Sequence, residues 1–352
     1  MDSDSNLSQF SIDKKSWPWI KETTPCISNE NMCLPKISIV TPSFNQGRFI
    51  EETILSVINQ NYPNLEYIVI DGGSTDNSIE VIKKYEKYLS YWISEKDNGQ
   101  SHAINKGLEK CTGEIFNWLN SDDYLAEGAL FNIAKTFLEN NKPDVICGYC
   151  NIINEKKEVE EISRMYVGKS KEDTIVNYWI NQPSSFYNLI TLKKIGNIYE
   201  SLYCVMDLEL WFRYLLSKKE EELKIILTDN IISFFRKHPS SKTQSIINLF
   251  YQEIWKIENE ILKLIKAPQI LQKQKKVIEP FRLNWEGIFI NKKRYISLYI
   301  YREINKIIKN SNSNKISFKA KIMWSYFLLF YSKEINFLNK IIFIIKRFKI
   351  VN

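Results

Sequence analysis

From residue 36 onward, short apolar runs alternate with amphipathic segments, which restricts the chain to a mainly parallel sheet built from βα units. The runs at residues 37–41, 65–70, 91–94, 115–119 and 144–148 are rich in Ile, Val and aromatic residues and are expected to be strands. Between them, residues 48–60, 77–89, 101–111 and 127–140 space apolar side chains as helices do, for example Ile50, Ile54, Val57 and Ile58. Residues 1–35 are polar and irregular around Trp17-Pro18-Trp19, and are expected to form an extension on the domain. After a charged stretch at 154–161 come denser segments at 178–187 and 203–216, the second helical in pattern. Beyond residue 245 the chain is almost wholly helix-patterned, with Pro268 and Pro280 as breaks.

With 352 residues, 44% of them hydrophobic and 25% charged, the chain can bury a substantial core. No segment approaches the roughly 20 continuous apolar residues of a spanning helix. The N-terminus MDSDSNLSQF carries acids where a signal peptide carries lysines, so the expected location is the cytoplasm. Six scattered cysteines do not form a disulfide framework, and Cys147 and Cys150 are expected to be small residues in or beside a strand. The formal charge of +7 conceals an asymmetry: residues 245–352 hold 21 Lys and Arg against 7 Asp and Glu, leaving 27 against 34 in the preceding part.

In an open α/β sheet, ligands bind beyond the carboxyl ends of the strands. Here those positions read Thr41-Pro42-Ser43-Phe44-Asn45, Asp71-Gly72-Gly73-Ser74-Thr75-Asp76, Glu95-Lys96-Asp97-Asn98-Gly99-Gln100 and Asn120-Ser121-Asp122-Asp123. Carboxylates gathered at one rim repel one another unless a cation or hydrogen-bond donors compensate them, and a divalent metal is the simplest counterion. Asp122 and Asp123 are hard oxygen ligands suited to Mg²⁺ or Mn²⁺, with a diphosphate to complete the shell. For Asp76 and Asp123 a helix N-cap or Asx-turn is an equal alternative. His238 is a second candidate for metal or diphosphate, and Lys242 for phosphate charge. The absence of G-x-G-x-x-G after the first strand, and of G-x-x-x-x-G-K-[ST] anywhere, argues against dinucleotide and P-loop cradles.

The segments IVTPSFNQGRFIEETILSVINQNYPNLEYIVIDGGSTDNS and WISEKDNGQSHAINKGLEKCTGEIFNWLNSDD, followed by QPSSF, VMDLELWFR and FRKHPSSKT, resemble family 2 glycosyltransferases of the GT-A fold. The resemblance implies a Rossmann-like, mostly parallel α/β sheet flanked by helices over residues 36–244, with nucleotide-binding (36–150) and acceptor (151–244) halves; the helical, basic C-terminal region at 245–352 is read from its pattern and charge alone. It implies an inverting transfer from a nucleoside-diphosphate sugar, UDP foremost, to a glycan or lipid-linked acceptor in bacterial surface polysaccharide synthesis, with Mn²⁺ or Mg²⁺ as cofactor. Thr41, Pro42, Asn45, Asp71, Ser74, Glu95, Asp97, Gly99, Gln100, Asn120, Ser121 and Asp122 would line the donor site, Asp71 facing the base. Asp122 and His238 would hold the metal, Asp207 would be the catalytic base, and Gln182 and Pro183 would lie on the acceptor side. Two departures stand out: Asn120 replaces the first acid of the Asp-x-Asp motif, and Met206 precedes Asp207 where an acid is usual. His102 receives no role.

The tail at 320–352 lies outside the resemblance. Its apolar patches at 322–331 and 341–345, interrupted by Lys and Arg, fit either peripheral contact with the inner face of an anionic membrane or a helical subdomain packed on the core. Nothing in the pattern calls for nucleic acid. Two competing readings are a sugar nucleotidyltransferase, disfavoured by the lack of a glycine-rich basic loop after the first strand, and a catalytically inactive nucleotide- or glycan-binding module.

Overall fold

The computed structural model describes residues 16–20, 23, 33–242, 246–268, 271, 285 and 288–310. Most of the expected N-terminal extension, and all of the tail at 320–352, lie outside these residues.

The chain divides into two compact units. The first comprises residues 1–165, 181–206 and 224–246 and contains one nine-stranded sheet. Its elements are β1 (Ile37–Ser43), α1 (Ile50–Ile58), β2 (Leu65–Asp71), α2 (Ser78–Lys84), β3 (Tyr91–Ser94), α3 (Gln100–Lys110), β4 (Ile115–Trp118), β5 (Tyr124–Leu125), α4 (Ala129–Glu139), β6 (Val145–Ile153), β7 (Val159–Arg164), β8 (Ser185–Asn188), α6 (Leu189–Ile195) and β9 (Ile225–Arg236), with α5 (Lys171–Val176) falling in the second unit. Strand order is β3-β2-β1-β4-β8-β6-β9-β5, and β7 pairs with β6.

The β1–β2, β1–β4, β2–β3 and β6–β9 pairs are parallel. The β4–β8, β6–β8, β5–β9 and β6–β7 pairs are antiparallel. All seven residues of β1 are buried, as expected of a central parallel strand covered on both faces. Ile37, Ile39, Ile54, Val57, Val69 and Leu130 belong to the core beneath it. The register then aligns the strand ends: Ser43 lies opposite Asp71, and Asp71 opposite Ser94.

The five strands and four helices expected from apolar spacing are all present. β5, β7, β8 and β9 are additions. In β7 the first four residues are exposed and do not alternate, so the period-2 signal is missing. β9 is interrupted by the exposed turn-formers Asp229 and Asn230, and its pairing with β6 shifts register around Tyr149. Cys147 and Cys150 both lie in β6, where burial pushes their thiols up to about 11 and about 12, so both stay protonated at neutral pH.

The second unit comprises residues 166–180, 207–223 and 247–352. Its described elements include α5 (Lys171–Val176), α7 (Met206–Ser217), α8 (Ile247–Leu264) and α9 (Lys292–Asn310). Trp211, Phe212, Ile257, Ile261, Tyr295 and Tyr299 are buried there. Two buried ion pairs lie there: Glu209 takes Arg213 at 2.8 Å and the Trp285 indole N–H at 2.8 Å, and Arg302 reaches Glu258 at 2.6 Å. No described helix is long and apolar enough to cross a membrane.

At the amino end of the parallel strands, the Glu66 carboxylate accepts hydrogen bonds from Ser38 Oγ (2.6 Å), Thr112 Oγ1 (2.6 Å) and Thr112 N (2.7 Å), and pairs with Lys36 at 2.7 Å. Burial raises its pKa, but these bonds outweigh burial and hold it down to about 2. A depressed carboxylate contributes stability above its unfolded value, and the contribution is lost as pH falls towards its folded value. Glu66→Gln is therefore expected to cost about 2 kcal/mol at pH 7. The gap from wild type should narrow between pH 4.5 and about 2, as read by urea unfolding at a series of pH values.

Candidate functional site

Three consecutive parallel strands end in a row, and their loops are tied together by hydrogen bonds. The Asp71 carboxylate is fully buried and accepts from Gly73 N (3.1 Å), Ser74 N (2.9 Å), Ser74 Oγ (2.5 Å) and Ser94 Oγ (2.7 Å). Asp71 thus shapes its own turn and joins β2 to β3. Gly73 takes φ +82°, a left-handed conformation favouring glycine, while a Cβ on Gly72 would meet Asp97 Oδ2 at 2.7 Å. Asp97 Oδ1 in turn accepts from Gly99 N at 2.8 Å, at the start of α3.

Ser74 Oγ also accepts from Asn45 N at 2.8 Å, and Asn45 Oδ1 accepts from Thr75 N at 2.9 Å. The loops after β1 and β2 are thereby cross-linked. Thr41 and Pro42 are buried in β1, the Thr41 hydroxyl 3.1 Å from that of Tyr67. Glu95 is half-exposed and pairs with Lys106 at 2.8 Å.

The acidic turn after β4 brings two adjacent carboxylates together with three polar partners. Asp123 is buried, and burial, then the neighbouring Asp122 charge, push its carboxyl well above the usual range. Arg236 N (3.0 Å) and Asn120 Nδ2 (3.2 Å) donate to it and act in the opposite direction. Asn120 Oδ1 accepts from Gln100 Nε2 at 2.7 Å, and Gln100 Oε1 accepts from Lys242 Nζ at 2.8 Å. Lys242 lies 4.0 Å from the centre of the exposed Tyr203 ring. Asn120 therefore supplies a donor where an acid would add a third carboxylate. Ser121 is buried in the same turn.

Asp122 Oδ2 lies 2.9 Å from Nε2 of the buried His238, whose Nδ1 is 2.8 Å from Ser240 Oγ. With Asp122 ionised, Nε2–H donates and the imidazole is fixed between the two partners. A carboxylate oxygen and an imidazole nitrogen side by side fit a divalent ion, which would displace the proton between them. Among the described residues no three His, Cys, Asp or Glu side chains form a metal-holding group. A divalent ion held by Asp122 and His238 would therefore need phosphate oxygens and water to complete its shell, as is usual for Mg²⁺.

Two residues without a sequence-based role carry this turn. The Arg236 side chain donates from Nε to the Asp122 carbonyl (3.0 Å) and from Nη2 to Glu52 (2.5 Å). Glu52, 2% exposed, also faces Lys157 Nζ at 2.5 Å. Arg236 was visible in the segment FRKHPSSKT, whereas Glu52 gave no signal beyond being an acid at a buried helix position.

Gln182 is buried and donates to Trp118 O (2.6 Å) and Asn117 Oδ1 (3.1 Å), while Pro183 O accepts from Asn117 Nδ2 at 3.0 Å. Both fasten their turn to β4. Asp207 belongs to the second unit; it is half-buried in the first turn of α7, where its Oδ1 accepts from Leu208 N at 2.8 Å. His102, given no role, accepts from Asn98 N through Nδ1 at 3.0 Å.

Residues 38–200 match the sequence model of Glycosyl transferase family 2. Poly(ribitol-phosphate) beta-N-acetylglucosaminyltransferase TarP of Staphylococcus aureus is 27% identical over 317 residues, covering 86% of this chain and 89% of TarP. GalNAc(5)-diNAcBac-PP-undecaprenol beta-1,3-glucosyltransferase of Campylobacter jejuni is 27% identical over 239 residues, 65% of this chain and 76% of the relative. The crystal structure of S. aureus TarS 1–349 in complex with UDP-GlcNAc superposes with a TM-score of 0.53 at 18% identity, covering 83% of this chain and 79% of that one. This likeness identifies the fold as GT-A.

Asn120→Asp is expected to remove the donor to Asp123 and to place a third acid in the turn. The variant should lose about 1–3 kcal/mol at pH 7, with the deficit shrinking at pH 4 as the new acid is protonated and donates again, read by denaturant unfolding at both pH values.

Proposed function

We propose that the chain, which belongs to glycosyl transferase family 2 and is a glycosyltransferase, moves a sugar from a UDP-sugar to a hydroxyl of a surface glycan or its lipid-linked precursor. The observation that carries the reading is the single rim on which the loops after β1 to β4 are joined by hydrogen bonds, with Asp122 and His238 side by side at one end. TarS supports UDP as the nucleotide, and TarP, named for transfer to poly(ribitol-phosphate), supports a polymeric acceptor. The C. jejuni relative supports a lipid-linked acceptor.

In this reading Thr41, Pro42, Asn45, Asp71, Ser74, Glu95, Asp97 and Gly99 form the nucleoside end of the site, and Gln100, Asn120, Ser121 and Asp122 the diphosphate end. Asp122 and His238 would hold Mn²⁺ or Mg²⁺. When bound, the ion supplies charge stabilisation to the departing diphosphate. Lys242, tied to the rim through Gln100, adds a positive charge to the diphosphate end. Gln182 and Pro183 support the acceptor side. Asp207 takes the proton from the acceptor hydroxyl as that oxygen attacks the anomeric carbon, and UDP leaves from the opposite face, so the configuration inverts. A UDP-sugar donor supports a cytoplasmic location for the enzyme.

Incubation with Mn²⁺ and a panel of UDP-sugars, with and without glycan and lipid-linked acceptors, tests the proposal by UDP release. Wild type is expected to release UDP only with an acceptor. Asp122→Ala and Asp207→Asn should each lower turnover by about 100-fold or more, and Asp207→Asn should keep its affinity for UDP. Pyrophosphate production from UTP and a sugar phosphate would indicate nucleotidyl transfer instead. UDP binding without turnover on any acceptor would indicate an inactive module.

A further inference from the structure

The end of β9 is an unusual carrier for a donor site, because within three residues it supplies both a restraint on the acidic turn and the partner of Asp122. Arg236 is 4% exposed, and its three hydrogen bonds run in different directions. Its backbone N–H meets the Asp123 carboxylate, its Nε meets the Asp122 carbonyl, and its Nη2 meets Glu52. The guanidinium also lies 5.0 Å from the centre of the Phe49 ring and 5.5 Å from that of Tyr124. Phe49 in turn sits 4.8 Å from the His238 ring, so one aromatic side chain separates the guanidinium from the imidazole.

The Glu52 end is equally held. Lys157, in the turn between β6 and β7, faces Glu52 Oε1 at 2.5 Å. The same hairpin is pinned at Glu155 by Arg48 (2.9 Å) and at Glu160 by Lys237 (3.3 Å). The start of α1, the β6–β7 hairpin and the end of β9 are thus latched by ion pairs around one buried carboxylate.

We infer that Arg236, fixed by Glu52, is a positioning residue of the donor site: it sets the peptide of Asp122, and with it the distance between the Asp122 carboxylate and His238. The inference rests on the reading of Asp122 and His238 as the metal-holding pair. The planar guanidinium is required because its separate N–H groups bond the Asp122 carbonyl and Glu52 at once. A lysine keeps the charge and the backbone bond to Asp123, but its single ammonium cannot occupy both places. Groups that orient metal ligands in this way typically alter metal affinity by about 10–100-fold when replaced.

The test is UDP binding by calorimetry over a range of Mn²⁺ concentrations, on wild type, Arg236→Lys and, as a control, Arg164→Ala. Arg164 forms a surface pair with Asp229 on the same sheet and makes no contact with the acidic turn. Circular dichroism melting confirms that each variant is folded. Arg236→Lys is expected to raise the half-saturating Mn²⁺ concentration at least about tenfold, whereas Arg164→Ala keeps the wild-type value. Should Arg236→Lys prove unstable, Lys157→Met, which loosens Glu52 from outside, is expected to shift the same value in the same direction. Wild-type Mn²⁺ dependence in folded Arg236→Lys would overturn the positioning role while leaving the donor site intact. Wild-type protein that binds no UDP at any Mn²⁺ concentration would overturn both.

Discussion

Two adjacent carboxylates on a turn that follows a buried strand are the constraint around which this sheet is organised. Asp122 and Asp123 repel each other, and only one of them can be exposed to ligand at such a turn. The fold resolves this by giving the two acids different surroundings. Asp123 is buried and satisfied by a backbone N–H and an amide, while Asp122 keeps its carboxylate beside His238. The long strand β9 makes this division, since Arg236 and His238 both come from its end. A chain with the same β1–β4 unit but no returning strand would leave Asp122 without its His238 partner and Asp123 with only the Asn120 amide.

Much of this was legible in the sequence, for reasons particular to each element. β1, β2 and β4 are buried on both faces, so they appear as short runs dominated by apolar residues, and the polar residues after them mark the rim. Asn45, Asp71, Ser74, Gln100, Asn120 and Asp122, all picked out as strand-end residues, belong to one hydrogen-bonded network or directly border it. The rest was hidden because it depends on long-range pairing. Glu52 reads as an ordinary helix acid until Arg236, 184 positions away, is brought to it. β9 carries no clean alternation because Asp229 and Asn230 interrupt it. Asn120 looked like a lost ligand from sequence alone, whereas the structure gives its amide two jobs, accepting from Gln100 and donating to Asp123.

The second unit has a different character. Its described helices bury aromatic residues together with the pairs Glu209–Arg213 and Glu258–Arg302, in which each buried acid finds an arginine partner. Asp207 is carried by the first turn of α7, a helix anchored in that unit by Trp211 and Phe212.

The central claim is that the rim after β1 to β4 holds a nucleoside diphosphate through an ion seated on Asp122 and His238. A crystal of the protein grown with UDP and Mn²⁺, with anomalous scattering recorded for manganese, tests it most directly. The account predicts a manganese peak within coordination distance of the Asp122 carboxylate and the His238 Nε2, with UDP along the loops that begin at Asn45, Asp71 and Glu95. Manganese or UDP bound away from these residues would contradict it.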